Sequence, residues 1–231
     1  MKIGVVIFPG SNCDHDMIYV LRNIMDQNVV ELWHKDNDLQ GARAIILPGG
    51  FSYGDYLRSG AIARYSPIMD YVIEFANNGG FVFGVCNGFQ ILCEAGLLPG
   101  ALLPNNTQKF ICKNVFIKPD NNSTVVTALL DKDRPYKIPI SHGEGRYYAD
   151  EETLKAMRQN DQILFRYCDS NGVITEEANP NGTLDNIAGV CNEQKNVYGM
   201  MPHPERAADE ELGNTDGQAI FESILSSAKF Y

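Results

Sequence analysis

A cysteine flanked by two glycines is the residue of this sequence best suited to nucleophilic chemistry. It is Cys86, in the pentapeptide Gly84-Val85-Cys86-Asn87-Gly88, which follows an apolar run and precedes a helical pattern. In such a G-x-C-x-G pattern a sharp strand-to-helix turn raises the nucleophile above the sheet, and the glycines permit close packing. The start of the helix favours a thiolate, and the Asn87 amide can face a developing oxyanion. We predict that Cys86 is a nucleophile, and that the other five cysteines are buried, small apolar side chains.

A thiolate needs a proton carrier, and the chain contains four histidines. His203 lies in the segment Met201-Pro202-His203-Pro204-Glu205, where the following proline disfavours helix and predicts an extended backbone. Side chains two residues apart in an extended segment project to the same side, so Glu205 can orient the imidazole as the acid of a triad does. The alternative is an ordinary proline-rich loop. His15 and His34 are predicted to be solvated, and the sequence alone assigns no role to His142.

A glycine pair supplies the third candidate element. Pro48-Gly49-Gly50 directly follows a predicted strand and leads into Phe51 and Ser52. Backbone N–H groups at the carboxyl end of a strand lie where open α/β sheets bind ligands, so the Gly50 amide is a candidate oxyanion donor. A turn that needs glycine only for its geometry remains the alternative.

The elements that must position these segments follow from the hydrophobic pattern. Short apolar runs predict buried strands, and apolar residues at helical spacing predict helices between them. The predicted strands of the first hundred residues are Lys2–Phe8, Val29–Trp33, Ala44–Leu47 and Phe81–Val85; the predicted helices are Met17–Met25, the segment from Ser66-Pro67 to Gly79-Gly80, and Gly88–Ala95. This alternation predicts a single-domain, doubly wound α/β fold over residues 1–231, with a mainly parallel sheet flanked by helices.

The second half predicts antiparallel strand additions, either at the edge of the same sheet or as a small flanking sheet. Its short apolar segments are separated by turns rich in asparagine, aspartate and glycine. The predicted strands are Phe110–Ile117, Thr124–Thr127, Lys137–Ile140, Gln162–Tyr167, Ile187–Cys191 and Val197–Met201. A last helix is predicted to place Ile220, Phe221, Ile224, Leu225 and Ala228 on one face.

Composition excludes several classes of function. The net charge of −10 argues against nucleic acid or an anionic membrane as the main partner, because both select basic surfaces. No secretory leader or membrane-spanning run is expected, so we predict a cytoplasmic protein with reduced thiols. The cysteines form no C-x-x-C pair, which predicts no metal site. No phosphate-binding loop or dinucleotide fingerprint occurs, which predicts no ATP site on this chain.

The segments G-V-C-N-G-F-Q and H-P-E, in this order, resemble the nucleophile and His/Glu motifs of class I (triad-type) glutamine amidotransferases. Further segments resemble one branch, the glutaminase subunits of phosphoribosylformylglycinamidine synthase (PurQ-type). They are P-G-S-N-C-D-H-D, P-G-G-F-S-Y-G-D-Y-L-R, H-G-E-G-R and M-P-H-P-E-R. The resemblance extends over essentially the whole chain from Ile3.

The resemblance implies a glutaminase with a thioester intermediate. Cys86 would be the nucleophile, His203 the proton carrier and Glu205 its orienting acid, while the amides of Gly50 and Asn87 would form the oxyanion hole. The implied substrate-binding residues are Phe51, Ser52, Gln90, Ser141, His142, Gly143 and Glu144, the last four through their backbone.

The resemblance also implies partners. L-Glutamine would be the substrate, and ammonia would pass to a large synthase subunit in a complex that includes a small accessory subunit. The synthase would hold ATP and Mg²⁺ and make formylglycinamidine ribonucleotide in de novo purine biosynthesis, leaving this chain without a cofactor.

Two alternatives remain at this stage. A stand-alone cysteine hydrolase or stress protein of the DJ-1/PfpI type uses a similar cysteine elbow. There a histidine usually follows the cysteine, whereas this chain has Asn87, and the H-P-E segment would be unexplained. A non-catalytic interaction subunit with the same fold is the second alternative, against which the complete Cys86, His203 and Glu205 set argues.

Overall fold

The computed structural model describes residues 1–227, and its main feature is a nine-stranded mixed sheet. The strand order is β2-β1-β3-β4-β11-β10-β9-β6-β7, and a separate two-stranded sheet pairs β5 with β8. The strands are β1 (Lys2–Ile7), β2 (Asn28–Trp33), β3 (Ala44–Leu47), β4 (Phe81–Val85), β5 (Ala101–Leu103), β6 (Ile111–Pro119), β7 (Tyr136–His142), β8 (Arg146–Tyr148), β9 (Ile163–Cys168), β10 (Ile187–Cys191) and β11 (Val197–Met200). Pairings from β2 to β11 are parallel, and those from β11 to β7 are antiparallel.

Helices flank this sheet. They are α1 (Asp14–Tyr19), which continues as a π-helical turn over Val20–Ile24, α2 (Pro67–Asn77), α3 (Asn87–Glu94), α4 (Glu151–Gln159) and α5 (Gln218–Ser227). On α5 the predicted face is buried at Ile220, Phe221 and Ile224, while Ala228 lies outside the described residues. Within residues 1–227 no helix has the length and apolar character needed to span a membrane.

Burial follows the strand pairing. All residues of β3 and β4 are buried, because parallel central strands are covered on both faces. In β7 buried residues alternate with more exposed ones, as in an antiparallel strand with one solvated face. Four predicted strands, β6, β7, β9 and β10, are antiparallel additions to the main sheet, whereas β11 pairs in parallel with β4. The strands of the separate β5–β8 pair were not predicted.

Several predictions about individual residues and segments are wrong. Thr124–Thr127 is a hydrogen-bonded turn rather than a strand, because the two threonine hydroxyls bond each other at 2.9 Å and compete with a strand ladder. His34 is buried, and its Nδ1 lies 2.6 Å from the Tyr53 hydroxyl, so it is not solvated. Cys112 is exposed on β6, whereas a buried thiol was expected.

The parallel half of the sheet positions the predicted chemistry. Strands β3, β4 and β11 are neighbours, with Leu47 opposite Gly84 and Met200 opposite Val85. The chain therefore leaves adjacent strand ends into the Gly49-Gly50 turn, into Cys86 and towards His203. Three segments distant in sequence meet at the carboxyl edge of the sheet, where open α/β folds bind ligands.

Candidate active site

The turn between β4 and α3 holds Cys86 in a strained backbone conformation. Its φ is 51° and its ψ is −107°, a region that residues with a side chain rarely adopt. The Cys86 N–H donates to the Met200 carbonyl at 2.8 Å, and the Cys86 carbonyl accepts from Gln90 N at 3.1 Å. A Cβ at Gly84 would lie 2.6 Å from the Gly88 carbonyl carbon, and one at Gly88 would overlap the Leu47 carbonyl oxygen. The two glycines therefore allow strand and helix to approach closely enough to form the elbow.

His203 and Glu205 form a buried pair. His203 Nδ1 lies 2.6 Å from Glu205 Oε1, and the two residues are only 1% and 2% exposed. Burial disfavours the charged imidazole, but attraction to Glu205 and to Cys86 outweighs it and raises the pKa of His203 well above its usual value. His203 is therefore suited to hold a proton at neutral pH and to release it to a reacting group.

The contact between His203 and Glu205 arises differently from the predicted extended segment. The backbone of His203 is non-helical, with φ −100° and ψ 89°, as the following proline requires. Beyond it, Pro204–Ala207 form a 3-10 turn, so Glu205 is not extended. The turn brings the carboxylate back to the imidazole, and the His203 N–H donates to the Pro139 carbonyl at 2.8 Å, which ties the segment to β7.

Cys86 and His203 flank the same point beside Gly49. A Cβ at Gly49 would lie 2.6 Å from His203 Cε1 and 3.3 Å from Cys86 Cβ, so only glycine fits between them. The Cys86 sulfur lies 3.7 Å from the Ser141 carbonyl oxygen. Within the described chain His203 Nε2 has no hydrogen-bond partner. This nitrogen is therefore available to a substrate or to the thiol.

The glycine turn contains the first of the two predicted oxyanion donors, the Gly50 N–H. Gly50 has a φ of 128°, and a Cβ there would lie 2.7 Å from Asn12 N. The Gly49 carbonyl accepts from Ser11 Oγ at 3.1 Å, and because the connecting peptide is trans, the Gly50 N–H points the opposite way. Ser11 thus fixes the orientation of the predicted oxyanion donor.

The second predicted donor, the Asn87 amide, is the first residue of α3, where helical N–H groups lack partners within the helix. The Asn87 side chain connects α3 to Ser52, in the segment that follows the glycine turn. Its Oδ1 accepts from the Ser52 N–H at 3.1 Å, and its Nδ2 donates to Gln90 Oε1 at 2.9 Å. Gln90 Nε2 in turn donates to the Glu144 carbonyl at 2.5 Å. The structure therefore brings Ser52, Gln90 and Glu144 together around Asn87.

His142 has a structural position. It is buried, and its Nδ1 lies 3.1 Å from Asn105 Oδ1, while a Cβ at Gly145 would overlap its ring. Burial lowers the pKa of His142 to about 4, so the ring is neutral at pH 7. Asn105 also donates to the His142 carbonyl and accepts from Gly145 N, which fixes the turn containing Gly143. The His142 side chain therefore supports the backbone predicted to meet the substrate.

A small cavity separates the glycine turn from the His203–Glu205 pair. Its volume is about 30 Å³, room for one or two water molecules. The lining residues are Asn12, Cys13, Gly50, Phe51, Ser141, His203 and Arg206. Cys86 itself is only 4% exposed. The side chain of glutamine does not fit in this space.

Two residues near the site were not predicted. Cys13 lies with its sulfur within 4.8 Å of ligand atoms of His203 and Glu205, although we expected it to be inert. Its place just after β1, at the sheet edge that binds ligands, was the available signal.

Asp55 lies 3.4 Å from Asn87 Nδ2, and burial, with the nearby Glu144 charge, raises the pKa of its carboxyl to about 6. No sequence pattern indicated this shift.

Comparison with known proteins identifies close relatives. The family model for CobB/CobQ-like glutamine amidotransferase domains matches residues 1–222. A Koribacter versatilis protein, phosphoribosylformylglycinamidine synthase subunit PurQ, is 56% identical over 227 residues, covering 98% of each chain. The Salinibacter ruber protein of the same name is 53% identical over 97% of this chain and 96% of its own. One chain of the solved PurLQS structure from Thermotoga maritima matches with a TM-score of 0.84 at 42% identity, over 98% of both chains.

Proposed function

The chain belongs to the family of CobB/CobQ-like glutamine amidotransferase domains, and on this premise we propose that Cys86, His203 and Glu205 hydrolyse L-glutamine. It is the glutaminase subunit of phosphoribosylformylglycinamidine synthase, in purine biosynthesis, as its full-length relatives are named. The observation that carries the residue assignment is the 2.6 Å contact between His203 and Glu205 beside the strained elbow of Cys86.

The proposed reaction uses these groups in two steps. Cys86 Sγ bonds to the side-chain amide carbon of glutamine, the carbon–nitrogen bond breaks, and His203 gives a proton to the departing ammonia. Water, activated by His203, then cleaves the thioester, so that glutamine and water become glutamate and ammonia. Glu205 orients the imidazole, and its attraction holds the proton there. The amides of Gly50 and Asn87 stabilise the negative charge on the substrate oxygen in both steps.

The proposed binding of glutamine uses the residues around Asn87. Phe51 and Ser141 line the small cavity beside His203, and the Gln90–Glu144 hydrogen bond closes one side of the Asn87 network. We assign His142 and Gly143 to the same subsite through their backbone, and Ser52 beside Phe51. The cavity must open before glutamine enters, which is consistent with a site that is completed in a complex.

The ammonia passes to the partners of this subunit, a large synthase subunit and a small accessory subunit, as in the PurLQS assembly. Activation of the amide oxygen of formylglycinamide ribonucleotide requires ATP, and we assign ATP and Mg²⁺ to the synthase. We also propose that residues 1–231 act as one domain in the cytoplasm, where the free cysteines stay reduced.

The test compares two nitrogen sources in the reconstituted complex. Cys86→Ala and Cys86→Ser are expected to abolish glutamine-dependent synthesis while synthesis from added ammonium salts continues, because the synthase site needs only ammonia. Cys112→Ala, which removes an exposed thiol on β6, is the matched control and should retain both activities. Equal loss of both activities in a correctly assembled Cys86 variant would exclude the two-site model.

A further inference from the structure

A second thiol lies beside the proposed triad. The Cys13 sulfur, a nitrogen of His203 and a carboxylate oxygen of Glu205 all lie within 4.8 Å of one another, and the three residues are at most 3% exposed. Glu205 Oε2, which takes no part in the contact with His203 Nδ1, has no hydrogen-bond partner among the described residues. Buried polar atoms without partners are rare, and their presence beside a thiol indicates a place for a ligand.

The donor set fits a borderline-soft divalent cation. Thiolate sulfur, imidazole nitrogen and carboxylate oxygen are the ligands that Zn²⁺ takes, and sites open to exchange use three protein ligands with a fourth position free. Ligand atoms around tetrahedral zinc are about 3.5 Å apart, so the 2.6 Å contact between His203 Nδ1 and Glu205 Oε1 has to lengthen, and a separation of 4.8 Å has to shorten, by about 1 Å each. The adjacent cavity of about 30 Å³ offers space for the fourth ligand, a water molecule.

The local charges balance on binding. A Cys13 thiolate and the Glu205 carboxylate together neutralise a divalent ion, and the Cys13 thiol and the His203 imidazolium each release a proton to solvent when the ion binds. Arg206 Nη2 donates to the Cys13 sulfur at 3.1 Å, which favours the thiolate, and Asp16 accepts from Arg206 Nε at 3.0 Å and offsets its charge. Burial keeps the pKa of the Cys13 thiol above its usual value despite nearby His203 and Arg206, so the thiol gives up its proton only when the ion binds.

A larger cavity gives a cation access to the group. It has a volume of about 460 Å³, and Glu205 and Arg206 line its wall together with three acidic residues, Asp16, Asp209 and Glu211. Such a cluster raises the local concentration of cations at its mouth. The acidic wall lies next to Glu205, whose side chain is fully buried, so a cation reaches the carboxylate when this wall opens.

From this geometry we infer that Cys13, His203 and Glu205 form an inhibitory binding site for Zn²⁺ or a similar cation. The bound ion occupies the imidazole and the carboxylate that the proposed reaction needs, so glutamine hydrolysis stops while the synthase continues with free ammonia. The inhibition rests on the proposed function, whereas metal binding does not, because it depends only on the three donors. Cys13 has no part in the proposed reaction, so its loss leaves the triad in place.

The test for binding uses Co²⁺ as a spectroscopic substitute for Zn²⁺ on the purified full chain. The wild type and Cys112→Ala should bind one Co²⁺ with a thiolate-to-metal absorption band, which Zn²⁺ then displaces. Cys13→Ala and the size-matched Cys13→Ser should lose the band, and circular dichroism checks that each is folded. Cys86→Ser should keep the band. Its loss in Cys86→Ser, or its survival in a folded Cys13 variant, would overturn the assignment.

Inhibition is tested in the assembled complex with both nitrogen sources. Zn²⁺ should suppress glutamine-dependent synthesis by the wild type, reversibly on chelation, and leave ammonium-dependent synthesis intact. Cys13→Ala should need at least about 100-fold more Zn²⁺, since even weaker perturbations of metal sites reduce affinity by that order. Equal sensitivity of the wild type and Cys13→Ala would refute the inhibitory role. Absence of any glutaminase activity alongside normal Co²⁺ binding would refute the proposed function and leave the metal site standing.

Discussion

His203 Nδ1 lies 2.6 Å from Glu205 Oε1, in a contact that solvent hardly reaches. In Glu205→Gln the shape of the pair is kept but the attraction that raises the pKa of His203 is lost. We expect kcat to fall by no more than about 100-fold, the lower end of general acid–base contributions. The alkaline limb of the pH–rate profile for glutamine hydrolysis should move to lower pH, because the imidazole loses its proton earlier. An alkaline limb that stays in place would show that Glu205 does not control the His203 proton.

Gly88 is the most tightly packed glycine of the elbow, and its replacement tests that packing. A Cβ there would overlap the Leu47 carbonyl oxygen, and no side chain can yield to relieve the contact. We expect Gly88→Ala to lower the free energy of unfolding by about 3 kcal/mol, the upper range for overpacking, and to remove glutaminase activity.

Gly96 gives a matched control at the other end of α3. It has a φ of 71° but open space around its Cα, so Gly96→Ala should lose only about 1–2 kcal/mol through backbone strain and retain activity. Denaturant unfolding of both variants measures the difference. Equal destabilisation would mean that the elbow relaxes around the new methyl group.

Asp55 makes stability depend on pH. Its carboxyl pKa is raised from an ordinary value of 3.8 to about 6, mainly by burial, so the folded state favours the protonated form. The contribution of Asp55 to the free energy of unfolding is therefore full below about pH 4 and is lost as the pH rises through about 6. Asp55→Asn keeps the shape and removes the titration. The stability of the wild type relative to Asp55→Asn should fall between pH 4 and pH 7 in denaturant unfolding, and a constant difference would contradict the shift.

The parallel half of the fold was predictable because each of its strands is a run of neighbouring apolar residues. Ala44–Leu47 and Phe81–Val85 have the predicted limits, since each is a short apolar run next to glycine, proline or polar residues. The turn at Thr124–Thr127 has an apolar, β-branched composition as well, but its hydroxyls bond within the turn. Composition alone does not distinguish a strand from a turn of this kind.

The candidate site was predictable where one segment carries a motif and not where segments meet. Cys86 and the glycines of its elbow form one pentapeptide, so their geometry could be inferred. The position of Cys13 beside His203 depends on how the loop after β1 meets the turn after β11, which no spacing encodes. The burial that raises the pKa of Asp55 likewise depends on tertiary packing.

The closed cavity beside His203 predicts that glutamine turnover depends on the synthase. About 30 Å³ does not hold a glutamine side chain, so we expect the purified chain to turn over glutamine more slowly than the assembled complex, by roughly 10-fold for each 1.4 kcal/mol that opening the site costs.

The segment from Phe51 to Ser66 is the expected docking surface, since its apolar side chains Tyr56, Leu57 and Tyr65 are 74%, 91% and 76% exposed. Leu57→Ser should weaken assembly and activation together, because docking would remove this exposed apolar side chain from water. Leu129→Ser, at a leucine 61% exposed on a different turn, is the control and should assemble normally. Glutamine turnover by the chain alone and after addition of both synthase subunits and their substrates measures the effect. A rate that does not change on assembly would refute gating, while the roles of Cys86 and His203 would be unaffected.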